Sequence, residues 1–87
     1  MGKRQPRTTQ VYELRDGYTI VYFGISYDVE RRVGEHARDG RIDFSSCNEI
    51  SPKLSRASAE ELETSKIQTY QKQHSGVAPK YNRNKTL

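Results

Sequence analysis

Between Gln10 and Ser26 the chain reads QVYELRDGYTIVYFGIS. β-Branched and aromatic residues crowd both halves, and Arg15-Asp16-Gly17 interrupts them with turn chemistry. Two such halves around so short a break form an antiparallel hairpin. A hairpin alone is marginal in water, so the rest of the chain must cover it. Its register decides which side chains meet. A two-residue loop of Asp16 and Gly17 sets Tyr12 and Tyr22 on opposite faces. A three-residue loop from Arg15 to Gly17, with Gly17 left-handed, sets them on one face as diagonal neighbours. The hairpin residues by themselves leave both registers open.

The cover comes from two helical segments. Asp28 is a good N-cap and Gly40 a good stop for a helix from Val29 to Asp39. Its apolar stripe is Val29, Val33 and Ala37. Arg32 and His36, four residues apart, flank that stripe as neighbours, while Arg31 points away. The stretch RIDFSSCNEI supplies a third short strand between Asp43 and Ile50, and SPKLSR is a loop. Ser58 opens a second helix with the capping-box pattern Ser58-Ala59-Glu60-Glu61, running to Gln73. Its inner line is Ala59, Leu62, Glu63, Ile67 and Tyr70. A carboxylate on such a line is uncommon. Gly76 and Pro79 punctuate a loop-like tail. The expected fold is α+β: a small three-stranded antiparallel β-sheet flanked by α-helices.

Eighty-seven residues with 32% hydrophobic content allow one domain with a small core. Residues 1–9, polar, basic and interrupted by Pro6, read as a flexible arm, and residues 10–87 as the domain. Fifteen Lys and Arg against eleven Asp and Glu give a net charge of +4. The isoelectric point of about 9.4 favours a polyanionic partner, nucleic acid above all. Cys47 is the single cysteine, which excludes an internal disulfide and a cysteine-built zinc site and points to a reducing compartment. No apolar run approaches a membrane span, and the basic start MGKRQPR has no hydrophobic segment behind it. The expected location is cytoplasmic.

Tyr12, Tyr22, Arg32, His36 and Glu63 are the residues with chemical use. An arginine grips phosphate oxygens bidentately and neutralises developing charge. One carboxylate holds a hard cation that keeps most of its waters. A tyrosine or histidine accepts a proton if its pKa is suitably placed. Each also has a plain reading. Strand tyrosines are most often packing, helical arginines a solvated face, and a histidine near a helix C-terminus favourable to the dipole. Asn82 reads by default as a turn residue. Glu63 is different, because an inward carboxylate is costly.

Taken in order, these residues resemble the GIY-YIG nuclease superfamily. QVYEL stands at the first motif, with Tyr12 as its tyrosine, and VYFGIS at the second, with Tyr22 and Gly24 in place. The continuation YFGISYDVERRVGEH selects Arg32, ten residues past Tyr22, over Arg31 and puts His36 four residues further on. AEELETSKIQTY looks like the glutamate helix, with Glu63, and PKYN like the closing motif, with Asn82. Gln10 replaces the first motif's glycine, and Phe23 the second motif's isoleucine. The segment between Glu63 and Asn82 is longer than in compact members.

The resemblance implies a DNA endonuclease dependent on one Mg²⁺ or Mn²⁺ held by Glu63. Tyr12 is then the general base or water-orienting group, His36 shares that role, and Arg32 stabilises the transition state. Tyr22 positions phosphate or water, and Asn82 braces the site. It also implies that both tyrosines enter one site, which requires the odd-numbered loop. Lys3, Arg4, Arg7, Arg31, Arg83 and Lys85 would contact phosphates without reading bases, so specificity is weak or lent by a second copy or a partner protein. A non-catalytic nucleic-acid-binding module and a protein-interaction module anchored by exposed tyrosines are the rival classes.

Overall fold

The computed structural model describes residues 6–83. Strand β1 (Gln10–Asp16) and strand β2 (Thr19–Ser26) form the hairpin. Helix α1 (Val29–Asp39), strand β3 (Ser46–Glu49) and helix α2 (Arg56–Gln73) follow. The sheet is antiparallel with order β2-β1-β3, and both helices pack against the hairpin. This is the expected α+β architecture. No helix among the described residues is long and apolar enough to cross a membrane.

The hairpin closes through neither expected loop. Asp16 pairs with Thr19, so the turn residues are Gly17 and Tyr18. Gly17 has φ 64° and Tyr18 is not among the positive-φ residues, the signs of a type II′ turn with glycine first. Such an even loop would place Tyr22 on the face opposite Tyr12. A β-bulge corrects this. Leu14 pairs with Tyr22 and Arg15 with Ile20, leaving Val21 as the extra residue. Beyond the bulge Tyr12 lies opposite Gly24, and the two tyrosines share a face. The expected outcome is realised by a different device.

That face carries the main buried cluster, while Val11 and Phe23 are buried on the opposite face. Tyr12, Leu14, Val21, Val29 and Ile42 are buried together, with Tyr22, Val33, Phe44, Cys47 and Tyr81 packed against them. On α1 the inward residues are Val29 and His36, and Ala37 is exposed, which corrects the expected stripe. The reason is helical phase: seven residues return to within about 20° of the start, whereas eight overshoot by about 80°. The second helix starts earlier than expected. Ser55, not Ser58, is its N-cap, with the Ser55 hydroxyl accepting from the Ser58 backbone N–H at 3.2 Å. Thr8 and Thr9 both donate backbone N–H to the Leu54 carbonyl, and Thr9 is buried, so ordered structure begins before Gln10. Buried Glu13 is paired by Arg15 Nε and by Asn48 Nδ2.

Strand β2 is an edge, and its outer backbone groups need partners. The Phe23 N–H donates to Asn82 Oδ1 at 2.8 Å, and Asn82 Nδ2 donates to the Phe23 carbonyl at 3.0 Å. The Tyr81 N–H adds a bond to the Val21 carbonyl at 2.9 Å. One side-chain amide thus imitates a strand residue beside the bulge, with fully buried Pro79 just before it. Asn82→Ala leaves both Phe23 groups without this partner and should cost about 1–3 kcal/mol in urea unfolding. A loss near zero would mean that water replaces the amide.

Candidate active site

The hairpin register, the bulge and the helical phase bring four side chains together. The Tyr12 hydroxyl lies 2.9 Å from His36 Nε2. The Tyr12 and Tyr22 ring centroids are 6.2 Å apart, and Tyr22 meets the His36 ring edge-on at 5.4 Å. Gly24 makes the approach possible. A Cβ there would sit 2.5 Å from the Tyr12 hydroxyl oxygen and 2.7 Å from Tyr22 Cε2. Only a bare backbone lets Tyr12 cross β2 to reach α1. Arg32, one turn before His36, has its charge acting on both phenols, and its Nη1 donates to Glu35 Oε1 at 3.0 Å.

Burial sets the protonation states. It raises the Tyr12 phenol well above 10.0, Tyr22 adds to the shift, and the Arg32 guanidinium opposes it. The Tyr22 phenol is raised by burial and then by the Glu63 carboxylate. Both tyrosines therefore stay protonated at neutral pH. The His36 imidazole is pushed below 6.5 by burial and by Arg32, against the pull of Asp39 and Glu35, so it stays neutral. No hydrogen bond to its Nδ1 is formed among the described residues. No side-chain nitrogen or oxygen among the described residues is fully buried without a partner.

A cleft of about 250 Å³ opens beside these groups, lined by Tyr22, Arg32, Glu35, His36, Asp39, Arg41 and Ile42. Tyr12, only 1% exposed, is beneath it and not on its wall. Glu35, Asp39 and Arg41 were not among the sequence candidates. The signal available for Arg41 was its place directly after the helix-stopping Gly40. Asn82 does not line the cleft and acts through the Phe23 backbone, between Tyr22 and Gly24. Arg31 is turned outward and bonds Tyr27 and Glu35. Arg7 and Arg83 are exposed, whereas Lys3, Arg4 and Lys85 lie outside the described residues.

Glu63 is half-buried on α2 and does not line that cleft, yet its charge reaches Tyr22. Burial raises its carboxyl above 4.5, with Glu60 adding and Arg56 opposing. It forms no hydrogen bond within the described residues, and Arg56 is paired with Glu60 instead. Among the described residues no group of three or more His, Cys, Asp or Glu gathers to hold a metal. A half-buried carboxylate that pairs with no cation among the described residues would suit a hard ion that takes one protein ligand and completes its shell with water and phosphate.

Comparison of the chain with family models, curated proteins and solved structures found no match. The site is therefore read from its own geometry. Gly24→Ala should displace the Tyr12 hydroxyl from His36 and cost about 1–3 kcal/mol by overpacking. Urea unfolding and the ¹⁵N spectrum of the His36 ring measure the two effects. Unchanged stability with an unchanged imidazole spectrum would contradict the crossing of Tyr12 over Gly24.

Proposed function

We propose that this chain is a divalent-metal-dependent endonuclease that hydrolyses DNA phosphodiester bonds, with a site of the GIY-YIG type. The observation that carries the proposal is the convergence of Tyr12, Tyr22, Arg32 and His36 through a bulge, a glycine and one helical phase. Packing alone does not require a cleft lined by Tyr22, His36 and an arginine, with the Tyr12–His36 hydrogen bond beneath it. The net charge of +4 and the residue order that resembles the family support the same reading.

The roles follow from placement. Arg32, on the cleft wall, grips the phosphate and meets the charge that grows on its oxygens. The Tyr22 hydroxyl, kept protonated, donates to a phosphate oxygen or to the attacking water. His36 is the general base. In the tautomer protonated at Nε2, that N–H donates to the Tyr12 oxygen and fixes the ring, leaving Nδ1 to take the proton of the attacking water. The water oxygen bonds to phosphorus as the bond to the 3′-oxygen breaks, and solvent protonates the leaving oxygen.

This assignment moves the base from Tyr12, where the family resemblance puts it. A phenol that is buried and raised in pKa is a poor proton acceptor, and Tyr12 serves as a positioning residue. Asn82 has the same standing through Phe23. Glu63 would hold the Mg²⁺ or Mn²⁺, which supplies Lewis-acid stabilisation and acidifies bound water.

One such site cuts one strand, so a monomer nicks. A double-strand break needs a second copy or a second visit. With few base-reading groups, sequence preference is weak unless a partner lends it. A cytoplasmic setting suits a single unpaired cysteine.

The test is a supercoiled-plasmid nicking assay with Mg²⁺, Mn²⁺ or EDTA, run beside Glu63→Ala and Arg32→Ala. Metal-dependent nicking should fall at least about a hundredfold in each variant. The rate should also decline on the acid side of 6.5, as His36 takes up a proton and ceases to be a base. Salt-sensitive DNA binding without nicking under any metal would contradict the nuclease and leave a binding module.

A further inference from the structure

We infer that Arg41 anchors a second phosphate of the bound strand, adjacent to the one gripped by Arg32. The inference rests on the reading of the cleft as a phosphodiester site and adds a subsite to it. Arg41 and Arg32 line the same cleft, though nine positions separate them in the chain. Gly40 explains how. It ends α1 with φ 75° and donates its N–H to the His36 carbonyl, a left-handed cap that folds the chain back. Ile42 then enters the core at 6% exposure, which pins the backbone next to Arg41 against the cleft.

The guanidinium is held but not consumed. Arg41 Nε meets Asp39 Oδ2 at 2.7 Å, and no hydrogen bond from its Nη groups is formed among the described residues. Arg32 is held by Glu35 too, but through Nη1. Glu35 and Asp39 are four residues apart on α1, hence one turn and about 6 Å along its axis. The two carboxylates therefore anchor the two arginines at points one helical turn apart on the same cleft. A cleft of about 250 Å³ has room for more than one phosphate group. As a structural pair, Arg41–Asp39 is worth little, since both side chains are largely exposed. Truncating Arg41 should leave the fold intact and report on binding.

The experiment is fluorescence anisotropy with a short fluorescein-labelled DNA duplex in EDTA, where no cutting occurs, across a range of salt. Arg41→Ala should weaken binding about tenfold and lower the salt slope by about 0.9, the value of one phosphate contact. Arg41→Lys should restore the slope without the full affinity, because a lysine keeps the charge but loses the fork. Arg38→Ala, an equal charge change on α1 away from this cleft, is the control and should change binding less. Equal effects of Arg41→Ala and Arg38→Ala would overturn the inference, leaving only general attraction. Its failure is separable from that of the nuclease reading. Loss of binding in Arg41→Ala beside a wild-type protein that never nicks keeps the phosphate subsite and removes the catalysis. Wild-type nicking with unaltered Arg41→Ala binding removes the subsite alone.

Discussion

The hydrogen bond between the Tyr12 hydroxyl and His36 Nε2 is the contact on which the arrangement turns. It ties the central strand to α1 across the edge strand, and three separate features have to agree before it can form. The bulge at Val21 returns Tyr22 to the face of Tyr12. The bare backbone at Gly24 lets the phenol pass. The seven-residue interval from Val29 to His36 turns the imidazole inward. Moving any one would separate the tyrosines from the histidine while leaving the strands and helices recognisable.

A chain with so little apolar material uses its site residues as core. Tyr12 is one of the largest fully buried side chains and belongs to the same cluster as Leu14, Val21, Val29 and Ile42. A phenol and an imidazole in that position are tolerable because each satisfies the other, as buried polar groups must. The same burial holds Tyr12 protonated and His36 neutral. Packing and proton chemistry are two consequences of one placement. Asn82 extends the economy by sealing the open edge of β2 where a fourth strand would otherwise be needed.

Much of this was readable from residue order. Strand propensity and a turn marked the hairpin, and Asp28 and Gly40 bounded α1 to the residue. The helical spacing turns Arg31 away from the apolar stripe, and Arg31 does turn to Tyr27 and Glu35. The register was harder, because a bulge has no local sequence mark when the extra residue is an ordinary valine. Ser55 lost to Ser58 as the expected cap because the pattern Ser58-Ala59-Glu60-Glu61 imitates a capping box inside the helix. Arg41 is marked only indirectly: it belongs to the cleft because the left-handed Gly40 just before it sends the chain back. Burial was the third hidden quantity. It holds Tyr12 protonated and His36 neutral, and no spacing rule contains it.

The central claim is that Glu63 and the Tyr–Arg–His cluster form one metal-assisted site, although they come from different halves of the chain. Paramagnetic broadening by Mn²⁺, read residue by residue in ¹H–¹⁵N spectra with a short DNA duplex present, tests this most directly. The account predicts broadening at Glu63, Tyr22 and His36, with the hairpin tip at Tyr18 unaffected. Broadening confined to other carboxylates, such as Glu60 or Asp39, with Tyr22 and Glu63 sharp at saturating Mn²⁺, would contradict it.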